Sequence, residues 1–140
     1  MTPTATPVGT VASPSGQTLA VVVRSSWRPS ATEFVTPDSY NLQMGAIVYA
    51  RGESITAHMH LPITREVHGT NEVVMVRQGC CEVDLYDDGR SFVATVRLEQ
   101  GDVILLLGGA HGFRMLEDTV LFEVKQGPYA GGKDKERFTP

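Results

Sequence analysis

The clearest rhythm in the chain is Cys81-Glu82-Val83-Asp84-Leu85-Tyr86, in which Cys81, Val83 and Leu85 alternate with Glu82, Asp84 and Tyr86. Successive side chains on a strand point to opposite faces, so the pattern predicts a strand with one buried face and one wet face. Glu72-Val73-Val74-Met75-Val76 precedes it as a second strand, with Gly79 as the tight turn between the two. Asp87-Asp88-Gly89 predicts a hairpin, Ser91 to Leu98 its returning strand, and Gln100-Gly101-Asp102 a turn into Val103 to Leu107. His111, Phe113 and Met115 then share one strand face with Arg114 on the other, and Thr119 to Lys125 is a further strand-like run. Upstream, Asn41 to Ala50, rich in Ile47, Val48 and Tyr49, and Ser54 to Ala57 after the Gly52 break, predict two more strands. No segment carries a convincing helical period. The expected class is all-β, built of antiparallel strands.

At 140 residues the chain is long enough for one core and is expected to form a single domain. Residues 1–17, rich in Thr, Pro, Ser, Gly and Ala, are expected to form a flexible arm, 18–126 the domain, and 127–140 a polar, turn-rich tail in which Tyr129 and Phe138 are the residues able to dock. The net charge of −4, with no basic cluster, argues against nucleic acid or an anionic membrane as the main partner. Neither end reads as a membrane or signal segment. The two cysteines, Cys80 and Cys81, are adjacent, which disfavours a mutual disulfide; a reducing cytoplasm is the expected location. On alternate faces of one strand, one thiol is expected in the core and the other on the opposite side.

Chemistry enters with His58-Met59-His60, Glu72 and His111. Two histidines one residue apart on a strand point to the same face, so both imidazoles can reach one ion while Met59 faces away. A carboxylate and a third imidazole complete a set of donors typical for a divalent metal.

These residues resemble the cupins, small antiparallel barrels that hold a metal in their mouth. The first cupin motif asks for Gly, five residues, His-x-His, a short linker, Glu, six residues and Gly; Gly52, His58, His60, Glu72 and Gly79 meet its fixed positions. The linker from His60 to Glu72 is longer than usual and carries Arg65, Glu66 and His68. The second motif runs from Gly101 to His111, one residue short, with Leu106-Leu107 where the family usually has proline. The resemblance covers about residues 41 to 125. It implies a single-domain cupin barrel (a double-stranded β-helix, or jelly roll) with His58, His60, Glu72 and His111 around one divalent ion per chain. Fe(II) is favoured; Mn(II), Ni(II), Co(II) and Zn(II) suit the same donors.

Three imidazoles and one carboxylate leave open positions on an octahedral ion, which suits catalysis on a small polar metabolite that chelates through oxygen. A dioxygenase-type oxidoreductase is the leading expectation by family analogy. A redox-neutral isomerase or lyase, and a non-catalytic cupin binding a sugar-like or acidic ligand, are the alternatives. Arg65, Phe113, Met115, Gln43 and Tyr49 are candidates to bind the substrate. His68 is a candidate proton shuttle, and Glu123 is a candidate general base if the Leu121-Glu123-Lys125 face turns inward rather than to solvent. Glu66 and His68 compete for a place on the metal. A homodimer is expected, with Val73, Met75, Val93 and Val96 as outer contacts.

Overall fold

β-branched and apolar residues at alternate positions build the ladders, and the pairings decide which face they bury. The computed structural model describes residues 6–140. The elements are β1 (Val8–Ala12), β2 (Thr18–Val23), β3 (Glu33–Phe34), β4 (Gly45–Ala46), β5 (Glu72–Gln78), β6 (Cys80–Tyr86), β7 (Phe92–Glu99), β8 (Val103–Leu106), β9 (Ala110–Met115) and β10 (Val120–Lys125). No helix occurs among the described residues. The chain divides into two compact units: residues up to Trp27 together with Thr70–Pro140, and Arg28–Gly69.

The first unit contains two antiparallel sheets. One has the order β1-β2-β8-β5-β10, the other β7-β6-β9. Val74 lies opposite Ile104, and Ile104 opposite Val22, so one face of the larger sheet carries a continuous apolar row. On the smaller sheet Val83 lies between Val96 and Phe113. The rows share one core containing Leu19, Val22, Val74, Val76 and Ile104 from the first sheet and Cys81, Val83, Leu85 and Leu98 from the second. Burying each large aliphatic side chain there contributes about 1.5–3 kcal/mol. The arrangement is compatible with a β-sandwich. The closed barrel expected from the sequence is not formed: β1 and β10, and β7 and β9, remain the edges of two separate sheets.

Two turns need glycine. Gly79 joins β5 to β6 at φ 94°, and a Cβ there would overlap the Asp118 carbonyl and Thr119. At the opposite end of β6, Gly109 has φ 64° and a Cβ would strike the Tyr86 carbonyl. Positive φ carries little penalty only for glycine. Asp102, buried, ties the end of β2 to the turn before β8 by accepting bonds from the Ser25 and Glu99 N–H groups at 2.8 and 2.9 Å and from Arg24 at 3.1 Å.

Several expectations need correction. Residues 8–12, expected in a loose arm, form β1, because β2 offers them a partner with Val8 opposite Val23 and Val11 opposite Ala20. The rest of the expected arm up to residue 5 lies outside the described residues. Tyr86, placed on the wet face by alternation, is buried and packs edge-on against Phe92 and Phe138. Both Cys80 and Cys81 are buried, and neither forms a disulfide. Burial, with a smaller contribution from Cys80, pushes the Cys81 thiol above its ordinary pKa.

The second unit is built differently. Its ladder is the pair β3–β4, Glu33 opposite Ala46 and Phe34 opposite Gly45. The strands expected over Asn41–Ala50 and Ser54–Ala57 are absent apart from Gly45–Ala46. β-branched residues favour a pleated surface that they can pack against, not extended backbone by itself. Ile47, Tyr49 and Ile55 are each more than half exposed, so no such surface covers them.

Candidate functional site

The first unit brings Glu72 and His111 together. Glu72 opens β5, opposite Leu106 of β8 and Lys125 of β10, on the face that carries Val74 and Val76. His111 lies on β9 opposite Leu85, on the same face as Phe113. The two core-facing rows therefore meet at one end of the sheets, with His111 Nε2 3.2 Å from Glu72 Oε2. The carboxylate is 12% exposed and the imidazole 32% exposed, so the pair sits at an opening rather than in the core. Phe113 packs edge-on to the imidazole at 5.9 Å between centroids. Gly109 lets the chain pass close to the Tyr86 carbonyl and enter β9 with Ala110 opposite Tyr86, which sets His111 in register. Asn71 pins the head of β5 from the other side: its N–H donates to Gln126 Oε1 and its side-chain amide donates to the Leu107 carbonyl at 3.2 Å.

The second unit brings His58 and His60 together. Their rings are 5.3 Å apart in an edge-on arrangement, so both imidazoles lie on one side of the chain even though this segment is not a strand. His58 Nδ1 is 2.8 Å from the Thr56 carbonyl. A carbonyl only accepts, so Nδ1 carries a proton there, and in the neutral ring Nε2 is then the nitrogen with the free lone pair. That is the division of labour found in metal-binding histidines, whose second nitrogen is held by a carbonyl or carboxylate. Among the described residues no group of three His, Cys, Asp or Glu side chains is gathered as a metal centre would require. The observed assemblies are two pairs.

The other candidates fare unequally. Gln43 is occupied locally: its Oε1 accepts from the Thr36 hydroxyl at 2.9 Å, and its Nε2 donates to the Pro37 and Tyr40 carbonyls at 2.9 and 2.8 Å. It staples a turn and has little left for a substrate. Tyr49 and Arg65 are exposed in the second unit. His68 pairs with Glu66 at 3.0 Å, both side chains more than four-fifths exposed. Phe113 is partly buried against the core, whereas Met115, on the same face opposite Cys81, is half exposed. Glu123 lies opposite Val74, on the face of Leu121, which packs on the core; Phe122 and Val124 point the other way and are about half exposed. The charged face of β10 is thus the core-side face, and Glu123 remains exposed on it. Of the expected outer contacts, Val93 and Val96 instead pack on the core, while Val73 and Met75 sit in the outer row with Val124 and Phe122.

On the outer face of the smaller sheet, Arg114 bridges Glu82 and Asp84. The Thr95 hydroxyl first, and Arg114 second, hold the Asp84 carboxyl below its ordinary pKa, and the two acids raise that of Arg114. This trio is paired within itself.

No family model, curated protein or solved structure matches the chain.

Sequence reasoning overlooked a group of cations at the end of β10. Lys125, Lys135 and Arg137 line a recess between the end of β10 and the tail. The signal was present only as scattered charges in a glycine-rich segment, and their convergence depends on how the tail folds back.

Proposed function

We propose that the chain is a cupin-type, jelly-roll metalloenzyme acting on a small polar metabolite that binds through its oxygens. The observation that carries this reading is the Glu72–His111 pair at the open end of the two sheets. Its donor atoms, 3.2 Å apart, have the separation of two neighbouring ligands on one ion bound at about 2.1 Å. Glu72 and His111 would hold the ion. When bound, a divalent ion would supply Lewis acidity and, as iron, access to dioxygen chemistry. Phe113 shields one side of His111 from water, and Glu123, on the core-side face near Glu72, is available to take a proton from a bound substrate.

A dioxygenase is the leading class and rests on analogy with the cupins. A redox-neutral isomerase or lyase is favoured by one specific feature. Glu123, exposed on the core-side face beyond the Glu72–His111 pair, is available to take a proton from a bound substrate, and proton abstraction needs no oxidant.

The test is elemental analysis of protein purified without chelator, together with Glu72→Ala and His111→Ala variants verified as folded by circular dichroism. About one ion per chain, lost in both variants, is the expected result. Wild type that takes up none of Fe(II), Mn(II), Ni(II), Co(II) or Zn(II) would overturn the proposal. Oxygen consumption with Fe(II), against turnover under nitrogen with Mn(II) or Zn(II), then separates the two reaction classes.

A further inference from the structure

Lys125 stands directly opposite Glu72 in the β5–β10 ladder. It also forms one wall of a recess of about 220 Å³ whose other wall is the tail, including Lys135 and Arg137. None of these three side chains forms an ion pair among the described residues. Several other cations of the same unit are paired: Arg24 with Asp102, Arg90 with Glu136, Arg97 with Glu99, and Arg114 with Glu82 and Asp84. The one carboxylate in the lining, Asp134, accepts a bond from the Thr70 hydroxyl at 3.2 Å. Gly131 and Gly132, at φ 65° and 85°, carry no side chain that would narrow the recess, and a Cβ at either would meet nothing within 4 Å. Three unpaired cations around a concave, hydrogen-bonding surface, in a chain of net charge −4, form a local field opposite in sign to the whole.

We propose that this recess binds the oxyanion, phosphate or carboxylate, of a small metabolite. Arg137 offers a planar fork and the two lysines point charges, the combination suited to such groups. The inference deepens the function proposed above and rests on it for one step: with Lys125 beside Glu72 in register, an anion held in the recess keeps the rest of the molecule near the Glu72–His111 pair. The substrate class becomes a small anionic metabolite.

Inorganic phosphate and malonate are titrated separately into the full chain at constant ionic strength. Amide chemical shifts are followed in the wild type and in the Lys135→Ala/Arg137→Ala double variant. The expected result is a saturable response at Gly131, Gly132 and Lys135 in the wild type. Affinity should be weakened by about tenfold or more in the double variant, which corresponds to about 1.4 kcal/mol. The stronger of the two anions identifies the group the recess takes. No saturable response to either anion overturns the inference, as does equal affinity in the double variant. Metal content measured on the same samples keeps the two proposals apart: anion binding in a protein that takes up no metal supports the recess while removing the metal reading.

Discussion

The two units of this chain solve the same problem with unequal resources. In the first, every strand has a laddered neighbour and a shared core, and Leu19, Val76, Val83, Leu85, Leu98 and Ile104 are fully buried. In the second, one short ladder, β3–β4, accompanies a long segment in which Met59, Leu61 and Ile63 are each more than 60% exposed. The first holds its chemical pair, Glu72 and His111, by register on paired strands. The second holds His58 and His60 by local backbone and by the Thr56 carbonyl. Position on a ladder is fixed by the fold as a whole, whereas position in a loop is fixed by its nearest neighbours alone.

The comparison can be broken most forcefully in the core. Leu98→Ala is expected to cost about 2–5 kcal/mol in chemical denaturation, while Leu61→Ala stays within about 0.5 kcal/mol. Equal losses would mean that the second unit has a core of its own. Gly109→Ala comes next: a side chain at positive φ against the Tyr86 carbonyl is expected to cost about 2–4 kcal/mol. The same change should also weaken metal uptake by shifting His111, measurable by titration. A folded variant with unaltered uptake would separate the turn from the site.

A smaller, pH-dependent effect belongs to the first unit alone. Thr95 and Arg114 depress the Asp84 pKa from 3.8, so their stabilisation is fully present above the unfolded value and fades as pH falls through the folded one. The melting-temperature gap between wild type and Asp84→Asn is therefore expected to be open at pH 7 and to close below about pH 4. A gap that persists in acid would show that the charge is not its source. The least perturbing comparison uses thiols. Cys80 and Cys81 should resist Ellman's reagent until denaturant is added, whereas a Met59→Cys thiol should react at once.

The same contrast explains what was legible in the sequence. The β6–β7 hairpin, the Gly79 turn, and the shared face of His111 and Phe113 could be read because alternation and turn residues are local signals. β2 escaped because Leu19 to Val22 are all buried and show no alternation. β1 escaped because a Thr- and Pro-rich composition says nothing about the partner strand waiting at Val21 and Val22. Ile47, Val48 and Tyr49 misled in the opposite direction: the propensity was there and the partner was not. At the site, the spacing singled out Glu72 and His111, which lie 3.2 Å apart, and His58 and His60, whose rings lie 5.3 Å apart. It could not reveal that Gln43 is consumed by its own turn or that Glu123 follows Leu121 onto the core-side face, since both depend on pairing and hydrogen bonds that no motif encodes.

The last residues of the chain illustrate how little energy can hold a segment in place. Phe138 rests edge-on against Tyr86, Arg90 lies over the Phe138 ring, and Arg90 pairs with Glu136. As separate molecules, a phenylalanine-bearing peptide and this surface would hardly associate. Here the short run from Gly127 joins them, so Phe138 experiences its binding surface at a local concentration on the order of millimolar. Cutting the backbone near Gly131 would remove that advantage while leaving the contacts of Phe138 themselves unaltered. The tail, the Lys135 and Arg137 it carries, and any anion they hold would then depart together.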